Sequence, residues 1–162
     1  VSKVLALDQI AGRLAGLRRG GRTIVHCHGC FDLLHVGHIR HLQAARAMGD
    51  TLVVTVTADA YVDKGEGRPA FPEDLRAEAL AALECVDFVG ICHAATAEEA
   101  IRLLRPDYYV KGQTAAPSPK LQAEAATVRA MGGEVRFTRE TTFSSTALLN
   151  AHFRLPPDAG TT

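Results

Sequence analysis

Five short β-rich apolar runs recur along the chain: "TIVHCHG" (23–29), "TLVVTVT" (51–57), "VDFVGI" (86–91), "DYYVKG" (107–112) and "GEVRFT" (133–138). Between them, apolar positions repeat at helical spacing: Ile39, Leu42 and Ala45; Leu75, Ala79, Leu80 and Leu83; Ala100, Ile101 and Leu104; Leu121, Ala125 and Val128. Strands that alternate with helices build βαβ units, and right-handed crossovers place the strands in one parallel sheet. The expected fold is α/β: a Rossmann-like, doubly wound, five-stranded parallel sheet in a single domain. Ligands of such sheets bind at the carboxyl ends of the strands, where the strand order reverses. The chemistry is therefore sought in the loops after the first, second, fourth and fifth runs.

The expected organisation is an N-terminal helix and linker over 1–22, a catalytic domain over 23–152 and a flexible tail over 153–162. Leu7, Ile10, Leu14 and Leu17 give the first helix its apolar face, and Gly20-Gly21 can end it with a left-handed residue. The tail reads "FRLPPDAGTT", with little to bury. At 162 residues the chain can bury a core without disulfides. Lys plus Arg and Asp plus Glu balance at 18 each, so no global field recruits nucleic acid or an anionic membrane. No apolar run approaches the roughly 18 residues of a membrane span. The start "VSKVLALDQI" has no secretory pattern, and four unpatterned cysteines point to a reducing, cytoplasmic setting.

Residues 26–38, "HCHGCFDLLHVGH", hold four of the seven histidines and two of the four cysteines. Cys27 and Cys30 have C-x-x-C spacing, but no second pair completes a structural zinc site. On a strand, Cys27 points away from His26 and His28, so the cysteines read as small buried hydrophobes. His35 and His38 sit three apart at the opening of a helix, where the dipole and free N–H groups favour an anion. Gly29 and Gly37 leave room for a ligand near the backbone, and Asp32 can cap or orient the turn. Lys64 lies in the polar stretch "DKGEGRP"; Lys111-Gly112 ends the fourth run at the ligand crevice. Ser144, Ser145 and Thr146 open a last helix, a second place where hydroxyls and N–H groups converge.

"GCFDLLHVGH" resembles the signature of the HxGH nucleotidyltransferases, the superfamily of cytidylyltransferases, pantetheine-phosphate adenylyltransferase and class I aminoacyl-tRNA synthetases. "KGEGRPAFPEDLRAEALAALECVDFV", "LLRPDYYVKG", "GGEV" and "FSSTALLN" are similar, in order and spacing, to the adenylyltransferase domain of bifunctional ADP-heptose synthesis enzymes. The likeness covers residues 5 to 150. It implies attack of a substrate phosphate on the α-phosphorus of a nucleoside triphosphate, with release of pyrophosphate. In that scheme His35, His38 and Lys64 are catalytic. Gly29, Cys30, Phe31, Gly37, Lys111, Gly112, Arg139, Ser144, Ser145 and Thr146 bind the nucleotide, while Asp32, Asp59, Arg68 and Arg76 serve the substrate side. Arg76 has a second reading, as an ion-pairing prop for its helix. The resemblance implies Mg²⁺ held by phosphates and water, with Asp59 the nearest protein carboxylate.

It also implies a homodimer, a sugar phosphate as acceptor, heptose 1-phosphate with ATP first, and a kinase step supplied by a separate protein. "RETTFSST" is similar to the "RTEGISTT" run of glycerol-phosphate-type cytidylyltransferases. That keeps open a CTP-dependent enzyme for a polyol phosphate, alkyl phosphate or phosphonate. A binding module without chemistry is a third reading. The chain departs from the heptose domain where "CHG" replaces "TNG" before the signature, where "TAD" replaces "NSD" after the second run, and after Lys111-Gly112.

Overall fold

A computed structural model describes residues 2–113, 117–139 and 144–152. The elements run α1 (Leu7–Arg19), β1 (Ile24–Gly29), α2 (Val36–Arg46), β2 (Thr51–Thr57), a 3₁₀ turn (Asp59–Tyr61), α3 (Glu73–Ala81), β3 (Phe88–Cys92), α4 (Glu98–Leu104), β4 (Tyr108–Gly112), α5 (Pro119–Ala130), β5 (Glu134–Thr138) and α6 (Ser145–His152). The five strands form one sheet in the order β3-β2-β1-β4-β5, with parallel pairing throughout. The sheet is doubly wound, as the sequence predicts, and its order reverses between β1 and β4. Residues 153–162, expected as a flexible tail, lie outside the described residues.

Alternation along the strands sorts side chains onto two faces. Val25, Cys27, Leu52, Val54, Val56 and Val110 pack with Leu42 and Ala45 of α2 and Ala77 and Leu80 of α3. On the other face Ile24, Val53 and Cys92 meet Ile10 and Leu14 of α1 and Ala100 and Leu104 of α4. Tyr109 joins Ala97, Ile101 and Val128 there. These side chains are fully or almost fully buried, and each large one contributes roughly 1.5–3 kcal/mol of transfer free energy. Helix α1 is thus part of the core. Gly90 allows its close approach, because a Cβ there would stand 2.5 Å from Leu7 Cδ2. The left-handed residue ending α1 is Gly21, with φ 76°.

Helix α3 departs from the expected stripe. Leu75 is 45% exposed, and the inward positions are Arg76, Ala77 and Leu80. Arg76 turns inward because its guanidinium has carbonyls to meet there. It donates to Phe71 O (2.8 Å), Cys30 O (2.7 Å), Thr57 O (2.9 Å) and Asp59 Oδ1 (2.6 Å). Those bonds tie the loop after β1 to the end of β2, which offsets the cost of burying a charge.

The sheet opens where the order reverses. β1 pairs with β2 from Ile24 through Gly29, but with β4 only at Val25 and His26. Beyond that point β1 and β4 diverge, and the ends of both strands line a crevice. Among the described residues no helix is long and apolar enough to cross a membrane.

Candidate active site

The crevice holds a cavity of about 270 Å³, lined by His28, Gly29, Cys30, Phe31, His35, Gly37, His38, His41, Lys64, Val110, Lys111 and Gly112. Nine residues predicted from sequence meet there: Gly29, Cys30, Phe31, His35, Gly37, His38, Lys64, Lys111 and Gly112. A second cavity of about 420 Å³ shares His28, Gly29, Cys30, Lys64 and Lys111 with the first and adds Thr57, Tyr61, Val62, Asp63, Ala95 and Lys120. A larger cavity of about 600 Å³ lies at the β3 edge, lined by residues 4–9 with Ile91, Cys92, His93 and Glu99, and gathers none of the predicted residues.

The signature loop sets the two histidines. His35 is the N-cap of α2: its Nδ1 accepts from Gly37 N (3.1 Å) and His38 N (3.4 Å). His38 Nδ1 accepts in return from His35 N at 3.4 Å. This reciprocal arrangement is a capping box made of imidazoles. It corrects two expectations. Asp32 does not cap the helix, and the first-turn N–H groups of Gly37 and His38 already have a partner. An anion at this helix start would therefore meet the rings rather than those N–H groups. Since both Nδ1 atoms accept, the neutral rings carry their proton on Nε2. The rings stack 3.8 Å apart at 22°, and Phe31 meets His38 edge-on at 5.3 Å. Phe31 has φ 52°, a left-handed conformation costing roughly 1–2 kcal/mol for a non-glycine residue. Burial, then the charges of His35 and Lys64, lower His38 to a pKa of about 4. His38 is a neutral donor at pH 7.

Lys111 reaches the crevice from the end of β4. Burial depresses its pKa and the neighbouring Lys120 charge adds to that, while Glu124, 3.8 Å away, opposes it. Glu124 is almost fully buried, accepting from Ala97 N (3.1 Å) and Tyr109 Oη (2.9 Å). Lys64 enters from the loop after β2.

Asp32 and Arg68 line neither cavity. They hold the Lys64 loop onto the signature loop: Arg68 Nε donates to Asp32 Oδ2 at 2.7 Å, and a second guanidinium N–H donates to the Asp32 carbonyl. Ala70 N and Phe71 N also donate to the Asp32 carboxylate, at 2.8 and 3.1 Å. Burial alone would raise this carboxyl. The hydrogen bonds from Ala70, Arg68 and Phe71 and the Arg68 charge outweigh it and hold the pKa below 3.8. Asp59 accepts from Arg76, so both residues act as the prop that was the second reading of Arg76.

The last predicted group stands apart. Ser144 Oγ accepts from Ala147 N (3.2 Å), Ser145 Oγ donates to Leu33 O (2.8 Å), and Thr146 Oγ1 accepts from Arg68 (3.4 Å). The first contact is local to α6, while the other two dock the helix on the signature loop and on Arg68, and none of the three hydroxyls lines either cavity. Arg139 is exposed just past β5.

Sequence reasoning missed His28, His41 and Lys120. His41 lies one further turn along the face of His35 and His38, and its Nδ1 is 2.7 Å from Thr138 Oγ1; burial and the Lys111 charge lower it to about 4. The i, i+3, i+6 spacing was the available signal. Cys27 is fully buried in the core, with its thiol pushed up to about 12 by burial. Among the described residues no group of three or more His, Cys, Asp or Glu side chains could hold a metal ion.

The chain is 42% identical over 136 residues to the bifunctional protein HldE of Syntrophotalea carbinolica, covering 83% of this chain and 27% of that protein. It is 45% identical over 113 residues to the bifunctional protein HldE of Geobacter sulfurreducens, covering 68% and 23% respectively. The chain thus spans about a quarter of the length of these curated relatives. The crystal structure of a lipopolysaccharide core biosynthesis protein from Thermoplasma volcanium superposes with a TM-score of 0.63 at 26% identity, over 76% of this chain and all of that one. The cytidylyltransferase-like family model matches residues 26–151, from His26 in β1 to α6, and the chain belongs to that family.

Proposed function

We propose that the chain transfers a nucleoside monophosphate from a nucleoside triphosphate to a sugar phosphate, releasing pyrophosphate, with ATP and heptose 1-phosphate as the preferred pair. The observation that carries this reading is the meeting of His35, His38, Lys64 and Lys111 in one cleft at the point of strand reversal, beside a second cavity lined by Lys64, Lys111 and Lys120. The histidine-lined cavity suits the triphosphate and the lysine-lined cavity suits the anionic acceptor. The lysines common to both stand where the two phosphates must meet.

The reaction needs little proton chemistry. An acceptor phosphate oxygen is already anionic; it attacks the α-phosphorus, the bond from that phosphorus to the bridging oxygen breaks, and pyrophosphate leaves with the electron pair. A general base is unnecessary, which accords with the pKa of about 4 that burial gives His38 and His41, since rings with so low a pKa are weak bases at pH 7. The side chains supply position and charge. His38 Nε2–H is assigned to the oxygens of the α-phosphorus as it becomes five-coordinate, with His35 and Lys64 on the phosphates beyond it. Mg²⁺ fits as a phosphate-borne ion that lowers the charge of the triphosphate: the two cavities offer it one carboxylate, Asp63.

The test is a matrix of ATP and CTP against sugar 1-phosphates, polyol phosphates and phosphonates, read by pyrophosphate release. Turnover of ATP with heptose 1-phosphate supports the full proposal. Turnover with CTP and a polyol phosphate would replace the substrates and keep the reaction. Nucleotide binding without turnover on any acceptor would reduce the protein to a binding module.

A further inference from the structure

Thr55, in the middle of β2, holds two histidines at once. Its Oγ1 lies 2.7 Å from His26 Nε2 and 2.8 Å from His28 Nδ1. On the far side of His28, Nε2 lies 3.3 Å from Thr57 Oγ1, which donates to the Gly29 carbonyl at 3.4 Å. At the other end, His26 Nδ1 is buried and has no hydrogen-bond partner.

A threonine hydroxyl has one proton and can accept twice, but two donations from the rings would leave the buried Thr55 O–H without an acceptor, so this ladder runs in one of two senses. In the first, His26 Nε2–H donates to Thr55, Thr55 to His28 Nδ1, His28 Nε2–H to Thr57, and Thr57 to Gly29 O. The atom left over is a bare imidazole nitrogen. In the second, Thr57 must give its proton to His28, the Gly29 contact loses its donor, and His26 Nδ1–H becomes a buried donor with no acceptor. An unmet buried N–H is the rarer and costlier outcome. The first sense follows. Both rings are neutral in it, in keeping with burial, which lowers His26 to about 3 and His28 well below its ordinary value.

The ladder ends at the crevice. His28 lines both cavities, whereas Thr57 lines only the lysine-rich one, so the Nε2 edge of the ring is the edge on that side. We infer that His28 is an acceptor-binding residue, presenting a neutral Nε2–H, its tautomer fixed by His26 and Thr55, to a phosphate oxygen in the cavity of Lys64, Lys111 and Lys120. The long contact to Thr57 is given up for the ligand. The inference rests on the reading that the acceptor occupies this cavity. It makes the "CHG" and "TAD" departures one feature, since His28 and Thr57 are hydrogen-bonded neighbours.

Two measurements test it. In ¹⁵N-histidine NMR of the full chain at pH 7, His28 is expected with Nε2 protonated and Nδ1 bare; the opposite tautomer overturns the ladder. In steady-state assays with the acceptor that turns over, H28N is expected to raise the acceptor KM about 10-fold, the loss of one charge-assisted hydrogen bond, and to leave the nucleotide KM within about twofold. H28Q should return the acceptor KM to within about threefold of wild type, because a glutamine amide reaches the position of Nε2 and an asparagine amide only that of Nδ1. Equal effects of H28N and H28Q, or parallel rises in both KM values, would assign His28 a structural role instead. If wild type turns over no acceptor at all, the transfer reading fails separately. Inorganic phosphate then decides the inference: titrating it must shift the His28 Nε2 signal, and an unmoved signal at saturation overturns it.

Discussion

The imidazoles of His35 and His38 lie face to face, with ring centroids 3.8 Å apart, because each Nδ1 accepts a backbone N–H of the other's segment at the start of α2. Helix capping and ligand presentation are one device here. The same bonds that finish the helix fix both rings with Nε2 as the proton-bearing atom.

Removing His35 should therefore injure stability and activity together. His35→Ala deletes the cap, worth about 1 kcal/mol, and frees the His38 ring to rotate. Urea unfolding should show that loss, and turnover should fall more than a simple stability effect explains. His35→Asn restores a cap acceptor, and should recover the stability without the activity.

Acid should destabilise the protein over a defined range. Burial holds His26, His38 and His41 to folded pKa values of about 3, 4 and 4, against an ordinary histidine value of 6.5. Above pH 6.5 they are neutral both folded and unfolded, so they add no pH dependence. As pH falls below 6.5 the unfolded chain takes up protons that the folded chain refuses, and stability drops by about 1.4 kcal/mol per pH unit per histidine. The drop continues until the folded pKa is reached. Unfolding free energies at pH 7.5, 6 and 5 check the slope, and His41→Gln should lower it by one histidine's share.

Asp32 and Arg68 staple the Lys64 loop to the signature loop. Arg68→Ala leaves the buried Asp32 carboxylate without its cation, and breaking such a pair costs about 3–5 kcal/mol. Chemical denaturation measures that cost. Since the loop carries Lys64, the KM for nucleotide should rise as well; an unchanged KM would show that the loop holds its place without the staple.

Cys27 should be inert. Cys27 is fully buried with its thiol near 12, whereas Cys30 is half-buried at the crevice. Iodoacetamide at pH 8 should label Cys30 in the native chain and leave Cys27 untouched until the protein unfolds. Mass spectrometry of peptides reads this directly. Nucleotide should protect Cys30.

The sheet was legible because parallel strands covered on both faces write themselves as short, nearly continuous β-rich runs, and the reversal of order put Lys111 and the signature in one crevice as expected. The strand starts were less so: "VDFVGI" begins as a strand only at Phe88, since Val86 closes a turn onto Leu83 and the Asp87 carboxylate accepts from Leu52 N. Periodicity placed Leu80 and Leu83 of the third helical segment correctly but misplaced Leu75 and Ala79, because Arg76 faces inward, where an apolar residue is the usual occupant. The hydroxyls of Ser145 and Thr146 and the carboxylates of Asp32 and Asp59 are residue types suited to ligands, yet their partners here are protein groups distant in sequence, while Ser144 bonds locally to Ala147 N. His28 was invisible for a related reason, and His41 showed only in its spacing from His35 and His38: their value depends on Thr55, Thr57 and Thr138, which the chain brings near only by folding.

The most direct test of the account is the rate of pyrophosphate release under saturating nucleotide and acceptor, compared between wild type and His38→Ala. Loss of the Nε2–H donor at the α-phosphorus predicts a fall in kcat of roughly 100- to 1,000-fold, with the fold intact by circular dichroism. A folded His38→Ala protein that transfers nucleotide at the wild-type rate would contradict it.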